Sequence, residues 1–151
     1  MHITAKVDYA VRTLIELAAA GPEPAKAEFL AKSQTIPHKF LEAVLSDLRR
    51  GGLVNSRRGP EGGYWLARSA TEITVADVIR AVEGPLASVR GQRPEDVDYC
   101  GPAAALKDVW IALRVNLRAV LETVTLADIA AGDLPESIRE LTADPGAWSR
   151  R

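Results

Sequence analysis

A chain of 151 residues that is 47% hydrophobic, 26% charged and only 5% aromatic has room for one helix-rich soluble domain, or a smaller domain plus an oligomerisation element. No apolar run approaches the roughly 18–20 residues that span a bilayer, which excludes a membrane protein and leads us to expect a cytoplasmic one. The net charge of −1 hides an asymmetry: residues 1–70 hold 10 Lys/Arg against 7 Asp/Glu, and residues 71–151 hold 9 against 13, so an anion-binding surface belongs in the first half.

The first predicted helix runs from about Thr4 to Ala20, with Val7, Ala10, Val11, Leu14, Ile15, Leu17 and Ala18 at helical spacing and Gly21-Pro22 as its stop. A second follows from about Ala25 to Ser33, with Ala27, Phe29 and Leu30 as its apolar face. Gln34-Thr35-Ile36 is a tight connection. A third helix starts at Pro37, where a missing amide donor costs nothing, and reaches about Arg50. Its expected buried stripe is Phe40, Leu41, Val44, Leu45 and Leu48, and Gly51-Gly52 ends it.

Two short strands come next, Leu53 to Ser56 and Tyr64 to Ala67, joined by a long glycine-containing hairpin turn. Thr74 caps a further helix, Asp77 favours its positive end, and Val75, Val78, Ile79 and Val82 face inward. Residues 85–102 are polar and irregular, an exposed loop. A long helix is expected from about Ala103 to Val124. In it Leu106, Leu113 and Val120 are seven apart, as are Trp110, Leu117 and Val124, and the two rows are offset by four, a coiled-coil seam. Short helical stretches near Leu126–Ala131 and Glu136–Leu141 precede a loose tail.

Helix, helix, tight turn, helix, two-stranded hairpin is the order of a winged helix-turn-helix, so the expected fold is mainly α with a two-stranded wing and a long C-terminal dimerisation helix. The corresponding division is a DNA-binding domain over 1–84, an exposed loop over 85–102, the dimerisation helix and the short helix after it over 103–131, and a tail over 132–151. The third helix is of a size to enter a major groove about 12 Å wide. In the wing, RRGPEGGYWLAR, Arg57 and Arg58 stand at the mouth of the turn and Gly59 opens it. Arginine there reaches phosphates or a narrow minor groove, whose negative potential attracts it.

At the start of the third helix lie His38, Lys39 and Glu42. Lys39 suits a phosphate or a guanine, and Glu42 suits the donor amino group of cytosine. A salt bridge between Lys39 and Glu42 is the plainer alternative. His38 reads as a polar surface residue. Arg49 and Arg50 at the helix end can touch the DNA backbone or simply complement the negative helix terminus.

The segments MHITAKVDYAV, FLEAVLSDLRRGGLVNSRRGPEGGYWLAR, EITVADVIRAVEGPLA and VTLADI resemble the Rrf-type (Rrf-two) transcription regulators from Met1 to about Ala131. The resemblance implies a homodimer, paired through the long helix, with two wings straddling a near-palindromic operator. It implies that Arg58, directly before the glycine of RGPxGGY, reaches the minor groove, and that Glu42 of FLE reads a base. Two departures, Pro37 where serine caps and Ala43 where glutamine is frequent, bear on the operator.

Cluster-binding members of that family carry three cysteines in the loop before the long helix; this chain has one, Cys100. One thiol forms no intrachain disulfide and supplies neither a zinc nor an ordinary iron–sulfur set, so no cofactor is expected. The expected function is a sequence-specific DNA-binding repressor, with double-stranded DNA and a second copy as partners and no identified effector. The alternatives on the same fold are an iron–sulfur or thiol redox sensor using Cys100, and a winged-helix protein-interaction module. Two histidines, one cysteine and no nucleotide motif argue against an enzyme.

Overall fold

The computed structural model describes residues 1–150. Its elements are α1 (Ala5–Ala20), α2 (Ala27–Gln34), α3 (His38–Arg50), β1 (Val54–Arg57), β2 (Gly63–Leu66), α4 (Val75–Glu83), α5 (Leu106–Leu121), α6 (Leu126–Ala131) and α7 (Glu136–Ala143). α1 starts where the Thr4 hydroxyl accepts from the Val7 amide at 3.2 Å, and stops at Gly21, whose φ of +78° suits glycine.

Periodicity places the core. Val7, Ala10, Leu14 and Leu17 of α1 form one stripe, and Leu41, Val44, Leu45 and Leu48 of α3 form another. Leu30 of α2, Ile73, Val78 of α4 and Leu126 of α6 close the same cluster. Truncating any of the fully buried leucines to alanine would cost about 2–5 kcal/mol.

Phe29 and Phe40 do not join this core. They are 52% and 61% exposed, against the expectation for both helices. The stripe of α3 is complete without Phe40, which lies about 100° round the helix from Leu41. Its ring instead sits 6.3 Å from that of Tyr9 on α1, tilted by 56°.

β1 and β2 pair antiparallel, Val54 with Leu66, Asn55 with Trp65, Ser56 with Tyr64 and Arg57 with Gly63. Both strands lie close to their predicted bounds. The segment before α2 adds a bridge: Tyr64 and Ala25 exchange backbone bonds of 2.8 and 2.9 Å. A Cβ at Gly63 would stand 2.6 Å from the Ala25 carbonyl oxygen, so only glycine lets the wing approach this closely.

The C-terminal half departs more from expectation. α5 is shorter than the periodicity suggested because VTLAD (124–128) repeats the capping logic of ITVAD (73–77). The Thr125 and Thr74 hydroxyls accept from Asp128 and Asp77 amides, and each carboxylate accepts from its threonine amide. This box starts α6 and takes Val124 out of the seam: Val124 is 7% exposed and its carbonyl accepts from the Val75 amide at 3.0 Å. α6 packs on α1 within the core of the winged domain, although the sequence grouped it with the long helix.

Nor is the 85–102 segment simply an exposed loop. Pro94 and Val97 are buried where the segment runs along α5 as a strap. Tyr99 accepts from the Trp110 indole at 3.0 Å, Lys107 pairs with Asp98 at 3.1 Å, and Arg114 pairs with Glu95. No local pattern reveals partners for these polar residues, because the partners lie on the next element.

Candidate nucleic-acid interface

Burying Leu41, Val44, Leu45 and Leu48 fixes which side of α3 meets solvent. At 100° per residue the opposite face is Lys39, Ala43, Ser46 and Arg50, with Glu42 beside it, and all five are exposed. No side chain caps the first turn of α3, so its amides remain available to an anion. Lys39 makes no ion pair among the described residues. Glu42 stands 3.5 Å from His38 Nδ1 instead, so the alternative Lys39–Glu42 bridge does not form.

The wing is a built turn rather than a slack loop. A Cβ on Gly62 would fall 2.0 Å from the Arg57 carbonyl oxygen, and the Gly62 amide donates to the Gly59 carbonyl at 3.0 Å. Gly59 itself has φ +102°, a conformation side chains strongly disfavour. The two arginines differ in their commitments. Arg57 spends a guanidinium donor on the Glu61 carbonyl at 3.2 Å. Arg58 is exposed and makes no hydrogen bond or ion pair among the described residues, so all five of its donors stay open.

Arg50 is less free than the sequence suggested. It pairs with Asp47, which also takes Lys6 of α1 at 2.6 Å. The Lys6 bond first, and the charges of Lys6 and Arg50 after it, hold the Asp47 carboxyl below the usual carboxylate range. Two cations share one anion here, so the end of α3 keeps a net positive charge. Arg49 reaches Ser56 of β1 at 3.4 Å, tying the helix end to the wing.

Two residues escaped sequence reasoning. Lys26 Nζ donates to the Gly59 carbonyl at 2.7 Å, fastening the wing tip to the start of α2. Arg12 donates to the Gln34 carbonyl at 2.7 Å, pairs with Asp8 at 2.9 Å and lies 5.1 Å over the Tyr9 ring. It thereby supports the helix-turn-helix connection, where Thr35 holds φ +52°. Both contacts link residues 22 or more apart in the chain, and no local pattern signals them.

The dimerisation candidates divide by face. Leu113 and Val120 are exposed, and Val109 beside them is 54% exposed, whereas Val115, 57% exposed, lies about 200° round the helix from Leu113. Leu106, Trp110 and Leu117 are half-buried along the edge of α5 that meets the strap and the winged domain. No residue of α5 is buried.

Cys100 is exposed and free. The chain has one thiol, and no grouping of three or more His, Cys, Asp or Glu side chains is placed to hold a metal among the described residues. No helix is long and apolar enough to cross a membrane among the described residues.

Residues 3–132 match the Rrf2 family, described as an iron-dependent transcriptional regulator. A protein named as an HTH-type transcriptional regulator in Mycobacterium tuberculosis strain H37Rv, Rv1287, is 52% identical over 145 residues, 95% of this chain and 90% of that one. CymR of Bacillus subtilis is 35% identical over 87% of this chain and 91% of its own length. The solved structure of that protein, described as the global cysteine regulator, superposes with a TM-score of 0.74 at 34% identity, covering 87% of this chain and 98% of CymR. The solved IscR of T. potens gives 0.69 at 30% identity over 100% of this chain and 93% of its own. An exposed α3, an arginine-tipped glycine wing and this pattern of similarity lead to one assignment: the chain belongs to the Rrf2 family of winged-helix, DNA-binding transcription regulators.

Proposed function

We propose that the chain is a homodimeric repressor that binds a near-palindromic operator in the cytoplasm and works without an iron–sulfur cluster. Arg58 enters the minor groove, while Arg57, Gly59 and the free amides of α3 engage phosphate. Lys39 and Glu42 read base edges in the major groove with His38 alongside, and Arg50 contacts the backbone. The observation that carries this reading is the contrast at the wing: a turn that only glycine can make presents Arg58 with every donor unspent. Phosphate contacts supply salt-dependent affinity, and base contacts supply sequence preference.

Pairing follows from α5, which carries Leu113 and Val120 on a face that this chain leaves uncovered. Two half-site contacts held on one rigid pair bind far better than either alone. Selection of bound duplexes from a random pool tests the reading. A two-fold symmetric consensus is expected, with Glu42→Ala changing the preferred base and Arg58→Ala weakening all sites. Failure to enrich any sequence, with both variants binding like the unaltered protein, overturns it.

A further inference from the structure

Between the end of α4, the strap and the inner face of α5 lies a cavity of about 330 Å³, at the lower end of the size range of small-molecule sites. Arg80, Arg93, Arg114 and Arg118 all line it, with Glu95 as its only acidic wall residue. Internal pairing does not exhaust these cations. Arg114 pairs with Glu95, and Arg80 pairs with Glu122 and stands 3.9 Å from Asp77. Arg118 stands 3.9 Å from the same Glu122. Arg93 makes no ion pair among the described residues. The Nε–H of Arg114 is buried and has no acceptor among the described residues, a donor that folded proteins seldom leave unused.

Four planar guanidiniums around one cavity match the geometry of carboxylate and phosphate groups, which accept two parallel hydrogen bonds from a single arginine. We propose that this cavity is an effector site for a small polyanionic metabolite bearing carboxylate or phosphate groups, held by Arg93, Arg114 and Arg118. Glu95 pairs with the Arg114 guanidinium and stands where a ligand oxyanion would bind. An incoming anion therefore displaces Glu95 and shifts the strap that carries it.

The walls give such a ligand leverage. Arg80 belongs to α4, which packs on α1 and α3, and Gly84 ends that helix, whereas Arg114 and Arg118 belong to α5, which carries the uncovered apolar face. A molecule bridging them sets the angle of the winged domain against α5. Only this regulatory consequence rests on the DNA-binding reading; occupancy of the cavity does not.

Titration calorimetry of the full chain without DNA separates the two. Citrate and inorganic phosphate serve as probes, each compared with sodium chloride of equal ionic strength. At least one is expected to bind saturably, one per chain. Citrate alone would identify a polycarboxylate site and phosphate alone a phosphoryl site; binding of both would show that the oxyanion chemistry suffices. Arg93→Gln, which breaks no recorded ion pair, is expected to weaken binding about tenfold or more. Arg114→Lys should act similarly, and Arg139→Gln on α7 should leave binding unchanged. No heat beyond the chloride control with either probe overturns the proposal. So does binding that ignores both Arg93→Gln and Arg114→Lys.

Discussion

The winged domain and α5 are built on opposite terms. α1, α3 and α4 each bury at least three side chains against one another, and α6 returns to seal the cluster with Leu126. α5, as long as α1 at 16 residues, buries none. One region builds a buried core within the chain; the other has an inner edge resting on the strap and an exposed outer face.

That contrast can be broken most decisively at the uncovered face. Leu113→Asp combined with Val120→Asp should convert a dimer to a monomer by sedimentation, keep the helical circular dichroism signal, and lower operator affinity about a hundredfold or more. Survival of the dimer would mean that α5 pairs through another surface. Inside the wing, Gly62→Ala places a methyl against the Arg57 carbonyl. We expect it to cost about 2 kcal/mol in chemical denaturation and to reduce DNA binding more than tenfold, with dimerisation intact.

A third test removes charge without disturbing packing. Arg58→Ala should weaken operator binding about tenfold and lower the slope of log affinity against log salt by about one. Unchanged affinity together with an unchanged salt slope would show that Arg58 makes no phosphate or groove contact. A fourth concerns acid. Because Lys6 and Arg50 depress the folded pKa of Asp47, its contribution is fully present above the ordinary carboxylate pKa of about 4 and is lost as pH falls through the lower folded value. Asp47→Asn should therefore destabilise the chain at pH 7 and flatten the stability curve below about pH 4, as read by thermal melts across that range. The smallest effect belongs to Thr35, a β-branched residue at φ +52°. Thr35→Asn should raise stability by about 0.5–1 kcal/mol.

The winged domain was legible in the sequence because its signals are local. Leucines at three- and four-residue spacing gave the buried faces of α1 and α3, Thr74 and Asp77 gave a cap, and the glycines of the wing gave the hairpin. What local patterns could not convey was which of several apolar residues a helix has room to bury, so Phe29 and Phe40 were turned inward when only narrower stripes are covered. Val124 shows a competition of the same kind. It continues a heptad, but Thr125 with Asp128 starts a new helix, and two satisfied backbone amides outweigh one more seam position. The strap stayed unread because its partners are on α5, and Lys26 because its acceptor lies 33 residues away. For the candidate site, the sequence offered residue types; which arginines are committed within the chain, Arg57 to Glu61 and Arg50 to Asp47, was not legible.

The Lys26 bond to the Gly59 carbonyl, together with the Ala25–Tyr64 bridge, anchors the wing at both its tip and its base. A hairpin pinned in this way has little freedom left to surrender when it enters a groove, so association forfeits less configurational entropy than an untethered loop of the same composition would. Releasing the tip by Lys26→Met would keep every DNA-facing residue in the chain and still weaken the bound complex.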